Sequence, residues 1–365
     1  MISRLITQNI LRRPIRTVIS VLAVAIEVGM VMLVVGLTHG MLHDSAQRIG
    51  GLGADVMVQA PHASMFLGMT SAPMPIKLGD YLAKLDHVQA VTPVLFQFDS
   101  SGVSLIWGID MKSWDRVTGG FAYLQGGPFS GPYDLLVDNW YARQNHVRVG
   151  QTVKLLNHRF TVSGIVEHGK GSRLFIPLET AESLAEQQNR ASIFFIKCTN
   201  PGYTDHVIAS IKKLLPNYTV LSVQEYMSLL TSNDLPALTD FITVLVAIAV
   251  TIGFLVIFLS MYTTIAERTR EIGILKSLGA TKGYIIDLIL REAGVLCMAG
   301  ILVGYVGTWA GRELIYRTFP TVTVELTVRW ALWAALLALG GTLIGAFYPA
   351  LRAAQLDPVD ALAYE

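Results

Sequence analysis

Four runs of this 365-residue chain are long and apolar enough to cross a hydrocarbon layer, so every other part must be arranged around them. They cover residues 18–37, 241–265, 293–310 and 330–351. A helix rises about 1.5 Å per residue, so roughly 20 residues span a bilayer core of about 30 Å. The third run is the shortest, but its helix is expected to begin near Tyr284, where Asp287 and Arg291 form an i,i+4 pair on interfacial turns. Charged residues make up 15% of the chain, against about 25% in a typical soluble domain. The expected fold class is an α-helical membrane protein with four transmembrane helices. An α+β extracytoplasmic domain is inserted between helices 1 and 2.

Topology follows from the basic residues beside the spans. Arg4, Arg12, Arg13 and Arg16 precede the first run, and no acid accompanies them. That run is too long for a signal-peptide core and no small-x-small cleavage site follows, so it reads as a retained anchor. The connection after the second run carries Arg268, Arg270, Lys276, Lys282 and Arg291, whereas the one before the fourth has Arg312, Arg317 and Arg329. The first two regions therefore face the cytoplasm, and an even number of spans returns the C-terminus there. The domains expected are 1–43 (N-terminal cytoplasmic segment and first helix), 44–235 (extracytoplasmic) and 236–365 (helices 2–4). The last includes a cytoplasmic segment, 266–284.

The outer segment is long enough for one or two folded domains with real cores. Runs at 54–60, 103–110, 151–167, 173–178 and 192–198 alternate or run apolar between Gly, Asn and Pro, as short strands do. Helical spacing appears at 178–188 and at 203–216, the latter stopped by Pro216. Residues 60–79 read as an irregular connection. Cys198 and Cys297 fall on different sides of the interface, so no disulfide between them is expected. A net charge of +1 gives no reason to invoke nucleic acid.

Three features invite chemistry. "GIVEHGKGS" (164–172) approaches a phosphate-binding loop, but Gly171 stands where Ser or Thr should hold magnesium and the following residues look like a strand; a glycine-rich hairpin is expected. His39, His43, Met65 and Met69 gather soft ligands beside the first span, a set that suits haem iron or copper(I), although methionine also simply fills irregular apolar gaps. Glu27 sits mid-span with Met30 one turn on. A carboxylate at that depth costs several kcal/mol unless it is protonated or paired. Its roles are a helix-packing hydrogen bond, a contact on a substrate path or a conformational switch. No metalloprotease or serine-nucleophile pattern is present, and no catalytic residue is expected. Gly300/Gly304, Gly307/Gly311 and Gly341/Gly345 follow the small-xxx-small spacing that lets helices approach closely.

The segment after the second span changes character abruptly. Glu267, Arg268, Arg270, Glu271 and Lys276 interleave there with Ile272, Ile274, Leu275 and Leu278, and Gly279 is placed to end a helix. Mixed-sign charge argues against simple adhesion to acidic lipid, and apolar side chains on a charged helix suit a protein groove.

The stretch "ERTREIGILKSLGATKGYIIDLILREAGVL" (267–296) resembles the signature of the FtsX-like permease domain of MacB-type ABC transporters, and "YPALRAAQLDPVDALAYE" (348–365) is similar to the tail of such permeases. "GLGADVMVQ" (51–59), "VGQTVKLLNHRFTVSGIVE" (149–167) and "RLFIPLETAESL" (173–184) resemble the extracytoplasmic domain of the same family. The resemblance implies a non-catalytic permease subunit of the bacterial inner membrane, with both termini cytoplasmic. It works with a second copy of itself and a separate cytosolic ATPase, which uses the ATP and magnesium; this chain binds no cofactor of its own. A membrane-fusion protein is a further candidate partner. Glu267, Arg268, Arg270, Glu271, Ile272, Leu275, Lys276, Leu278, Gly279 and Ala280 would form the coupling element that docks on the ATPase. Motion of the outer domain would then drive export or extraction of an amphiphilic cargo. The alternatives are a signalling subunit that activates an outside hydrolase and a haem or metal exporter.

Overall fold

The computed structural model describes residues 14–61, 73–99, 105–231 and 236–357. The chain divides into two compact units. One comprises residues 1–40, 236–315 and 324–365; the other comprises 41–235 and 316–323.

The first unit is a bundle of long helices. They are α1 (Pro14–Gly50), α2 (Pro236–Glu267), the short α3 (Thr269–Ser277), α4 (Lys282–Thr318) and α5 (Val328–Gln355). Among the described residues, three helices are long and apolar enough to cross a membrane: Pro14–Gly50, Thr239–Glu267 and Val328–Gln355. Helix α4 contains the short third run in its middle and carries charged turns at both ends. Val24, Val28, Val31 and Val35 of α1 pack with Ile289, Ala293, Leu296 and Ile301 of α4 in the bundle core.

The glycine pairs divide by geometry. A Cβ on Gly300 would collide with Val24, and one on Gly304 would come within 3.0 Å of Val28, so α1 and α4 touch nearly backbone to backbone. Gly345 brings α5 close to the Phe254 carbonyl of α2, at 3.1 Å from a would-be Cβ. Gly307 faces open space and takes no part in this packing. Spacing alone could not separate these cases, because helix rotation decides which small residue meets a neighbour.

The second unit is a twisted mixed sheet. From one edge its strands run Thr219–Ser222, Val56–Gln59, Ile193–Cys198, Val88–Phe98, Leu105–Ile109, Leu174–Pro177, Asp134–Asp138, His158–Val166 and Tyr123–Gly126. Most neighbours are antiparallel. Leu105–Ile109 with Leu174–Pro177, and Asp134–Asp138 with His158–Val166, are parallel. Thr152–Leu155 returns as a hairpin onto His158–Val166 through Leu156 and Asn157, both at positive φ. Alternation along the strands builds two faces. Trp107, Phe175, Phe195, Trp114 and Phe121 cluster on one, whereas Ile106, Leu174 and Ile176 pack under the helix Leu178–Leu184 on the other.

All five strand regions expected from sequence contain strands, and the two helices appear as Leu178–Leu184 and Thr204–Leu214. The longest strand, Val88–Phe98, lacks a clean sequence signal because Pro93 and polar residues interrupt its apolar pattern. Residues 164–172 do not form a hairpin. Strand Asp134–Asp138 lies between the two strands they join, so the glycine-rich segment crosses over it. Of the expected irregular connection, 62–72 lies outside the described residues, while Met74–Pro75 pairs with Arg190–Ala191.

Candidate functional site

Helix α2 does not run straight into the cytoplasmic segment. It ends at Glu267, the chain turns at Arg268, and α3 begins at Thr269. The turn is held from within the bundle. Arg268 reaches Glu292 of α4 at 3.2 Å, with both side chains largely buried, and Glu267 pairs with Arg16 of α1 at 2.6 Å. Lys276 donates to the Ala354 carbonyl at 3.0 Å and to the Leu356 carbonyl, satisfying the open end of α5. Ile272 is buried in the bundle core, with Leu275 and Ala280 packed against it. Gly279, at φ 96°, closes α3: its N–H bonds the Lys276 carbonyl and the Ala280 N–H bonds the Leu275 carbonyl.

The ten residues expected to meet an ATPase thus fall into two sets. Glu267, Arg268, Ile272, Leu275, Lys276 and Ala280 are engaged by the chain's own helices. Arg270, Glu271, Leu278 and Gly279 face outward, joined by Ile274; Leu278 is 80% exposed and Ile274 46%. Ile272 and Leu275 are on the inner face because α3 lies alongside the bundle instead of projecting from it.

Glu27 is 6% exposed, and its Oε1 has no hydrogen-bond partner among the described residues. Its carboxyl fits against Gly253 of α2, where any Cβ would collide with it. Met30 is partly buried against the same bundle core. Glu27 is therefore sealed in the α1–α2 seam. His39 lies beside Trp330, with ring centroids 5.6 Å apart, and His43 bonds Gln47 at 2.9 Å. Met65 and Met69 lie outside the described residues. Among the described residues no group of three His, Cys, Asp or Glu side chains is arranged to hold a metal ion.

The second unit contains a charged cluster that the sequence did not announce. Asp44, on the last turns of α1, accepts from His168 at 2.9 Å, Arg173 at 2.9 Å and Arg48 at 3.1 Å. His168 also bonds Asp138 at 2.7 Å, and Asp138 in turn caps the helix Asn139–Gln144 through the Tyr141 N–H. The His168 ring stacks on Trp140 at 3.9 Å, and the Arg173 guanidinium lies over the same indole. Burial alone would lower the His168 pKa, but its hydrogen bonds to Asp138 and Asp44, with their charges, raise it above the ordinary histidine value. Arg48 and Gly171 exchange hydrogen bonds, each through the other's backbone or side chain. Gly171 is at φ 64° and a side chain there would strike Trp107. Gly171 thus serves this close crossing. The missed signal was an acid and a basic residue at i,i+4, Asp44 and Arg48, just beyond a span. Their partners lie more than a hundred residues away, so nothing local marks them.

Comparison with known proteins places these features in a family. The MacB-like periplasmic core domain matches residues 17–214, and the FtsX-like permease C-terminal region matches 243–358. The chain belongs to the MacB-type, FtsX-like permease family. The macrolide export ATP-binding/permease protein MacB of Sodalis glossinidius (strain morsitans) is 26% identical over 391 residues, covering 96% of this chain and 58% of that protein. The chain thus spans about three fifths of that relative's length. The uncharacterized ABC transporter permease YknZ of Bacillus subtilis (strain 168) is 36% identical over 131 residues, covering 35% of this chain and 32% of that one. The crystal structure of the periplasmic region of MacB from Actinobacillus actinomycetemcomitans matches 49% of this chain and 93% of its own at 16% identity and a TM-score of 0.38. As a member of the MacB-type family, the chain is an ABC transporter permease, a membrane protein with an extracytoplasmic domain.

Proposed function

We propose that this permease has four membrane spans, α1, α2, α4 and α5, and couples ATP hydrolysis by a cytosolic ATPase subunit to movement of its outer domain. A dimer of the chain would act in the bacterial inner membrane, with both termini cytoplasmic, to export or extract an amphiphilic cargo from the outer leaflet or periplasm. The observation that carries this reading is the two-faced α3. One face is tied to the bundle by Arg268–Glu292, Lys276 and Ile272, and the other leaves Arg270, Glu271, Ile274 and Leu278 uncovered. A helix anchored this firmly can pass a push from a partner into the bundle, and a charged surface with apolar anchors suits docking in a groove. Helix α1 supplies a continuous element for relaying it, because it carries Arg16 near one end and Asp44 near the other. The first relative above is named for macrolide export with an ATP-binding part, which agrees with an ATP-driven export role.

The test is co-purification of the ATPase with the full chain carrying Glu271→Lys and Leu278→Asp. Loss of the ATPase with normal membrane insertion is expected; an intact complex would overturn the coupling assignment. A cysteine at exposed Lys112 should be labelled from outside in spheroplasts, and labelling only from the cytoplasm would reverse the orientation.

A further inference from the structure

The second unit contains an open-mouthed cavity of about 550 Å³, within the range of small-molecule sites. Its lining combines Arg48, Lys154 and Arg173 with Asp44 and Asp99. Asp44 is committed to Arg48, Arg173 and His168, and Asp99 accepts the Leu156 N–H at 3.0 Å. Lys154 makes no ion pair or hydrogen bond with a described side chain, so its ammonium is an unspent positive charge at the cavity.

Donors converge on the same space from the helix Asn139–Gln144 and the residue after it. Gln144 receives the Thr321 N–H and hydroxyl on its Oε1, which leaves its amide nitrogen to donate. Asn145 spends one amide hydrogen on the Tyr141 carbonyl and keeps the other. The Tyr141 phenol, pushed up by burial and by Asp99, retains its proton as a donor. The remaining lining includes Met41, Leu105, Leu155, Leu174 and Val322, which offer apolar surface. Met41 belongs to α1 just after the first span, and Val322 lies in the connection between α4 and α5.

We propose that this cavity binds an amphiphile with an anionic head of phosphate or carboxylate type, the head held by Lys154, Tyr141, Gln144 and Asn145 and the chain laid on the apolar lining. Among the described residues the lining has one cation more than its carboxylates, which favours an anion. Excess donors with no excess of free acceptors discriminate against cationic heads. The proposal deepens the export reading by naming a cargo chemistry, but binding requires neither ATPase nor transport, so the two fail separately.

The test uses the full chain in phosphatidylcholine nanodiscs without nucleotide, titrated calorimetrically with hexyl phosphate, hexanol and inorganic phosphate. Hexyl phosphate should saturate a single site, hexanol should not bind, and inorganic phosphate should bind at least about tenfold more weakly. Lys154→Glu, an exposed change that leaves the fold intact, should weaken hexyl phosphate by about tenfold or more, whereas Lys154→Arg should stay within about threefold. Absent saturation, or equal affinity in Lys154→Glu, would overturn the site. Phosphate binding as tightly as its hexyl ester would overturn the amphiphile and leave a simple anion site.

Discussion

Charge is concentrated in two regions, built in opposite ways. Around α3 it is dense in sequence, with five charged residues between Glu267 and Lys276, yet only Arg268 with Glu292 makes a shielded pair. In the second unit it is sparse in sequence and dense in space. Asp44, Arg48, Asp138, His168 and Arg173 come from α1, from a strand end and from the crossover after another strand, and they share their ions within 2.7–3.1 Å. Local crowding produced a half-exposed surface, and long-range assembly produced a buried network. Exposed ion pairs contribute little, whereas breaking a buried one leaves a charge without water or counter-ion.

That contrast is broken most directly at Asp44. Asp44→Ala removes the carboxylate that Arg48 and Arg173 share and leaves His168 only Asp138, so a loss of about 4 kcal/mol in denaturant unfolding is expected. A cost no larger than that of truncating Lys276 would erase the distinction. Glu292→Ala should cost about 2 kcal/mol by leaving Arg268 only its half-exposed pair with Glu271, while the paired change Arg268→Met with Glu292→Leu should be nearly neutral if the pair contributes position more than stability. Glu27 is a third case, a buried acid whose Oε1 has no hydrogen-bond partner among the described residues. Gly253→Val should cost about 2 kcal/mol by evicting it from the α1–α2 seam, measured as a shift in thermal unfolding.

The histidine sets the pH response. Because its folded pKa is raised, His168 contributes stability that is fully present below the ordinary histidine range and is lost as pH climbs through the folded value. Unfolding midpoints of the wild-type chain should therefore fall on the alkaline side, and His168→Gln should flatten that slope; an unchanged slope would remove the histidine from the account. The smallest stability effect belongs to the outer face of α3. Leu278→Asp should change stability by less than about 0.5 kcal/mol while abolishing ATPase capture.

How much was legible follows the same division. Apolar runs marked all four long helices, since hydropathy is summed along contiguous residues and needs no partner. Alternation likewise marked strands such as Val56–Gln59 and Ile193–Cys198, but Val88–Phe98 escaped because its Pro93 is tolerated only by the sheet around it. The sequence located the segment bearing α3 but could not tell its inner face from its outer one: Ile272 and Leu278 are equally apolar, and only the position of the bundle separates them.

Sequence by itself determined the membrane character of the chain, the insertion of a strand-rich domain after the first span and the family. These depend on composition, period and contiguous motif, all properties of neighbouring residues. Tertiary structure alone decided that Lys276 donates to the carbonyls ending α5, that Glu27 meets Gly253, and that the glycine-rich loop delivers His168 to Asp44. Each of those depends on which residues, tens or hundreds apart, the packing brings within a few ångströms, where desolvation makes a charge either costly or held.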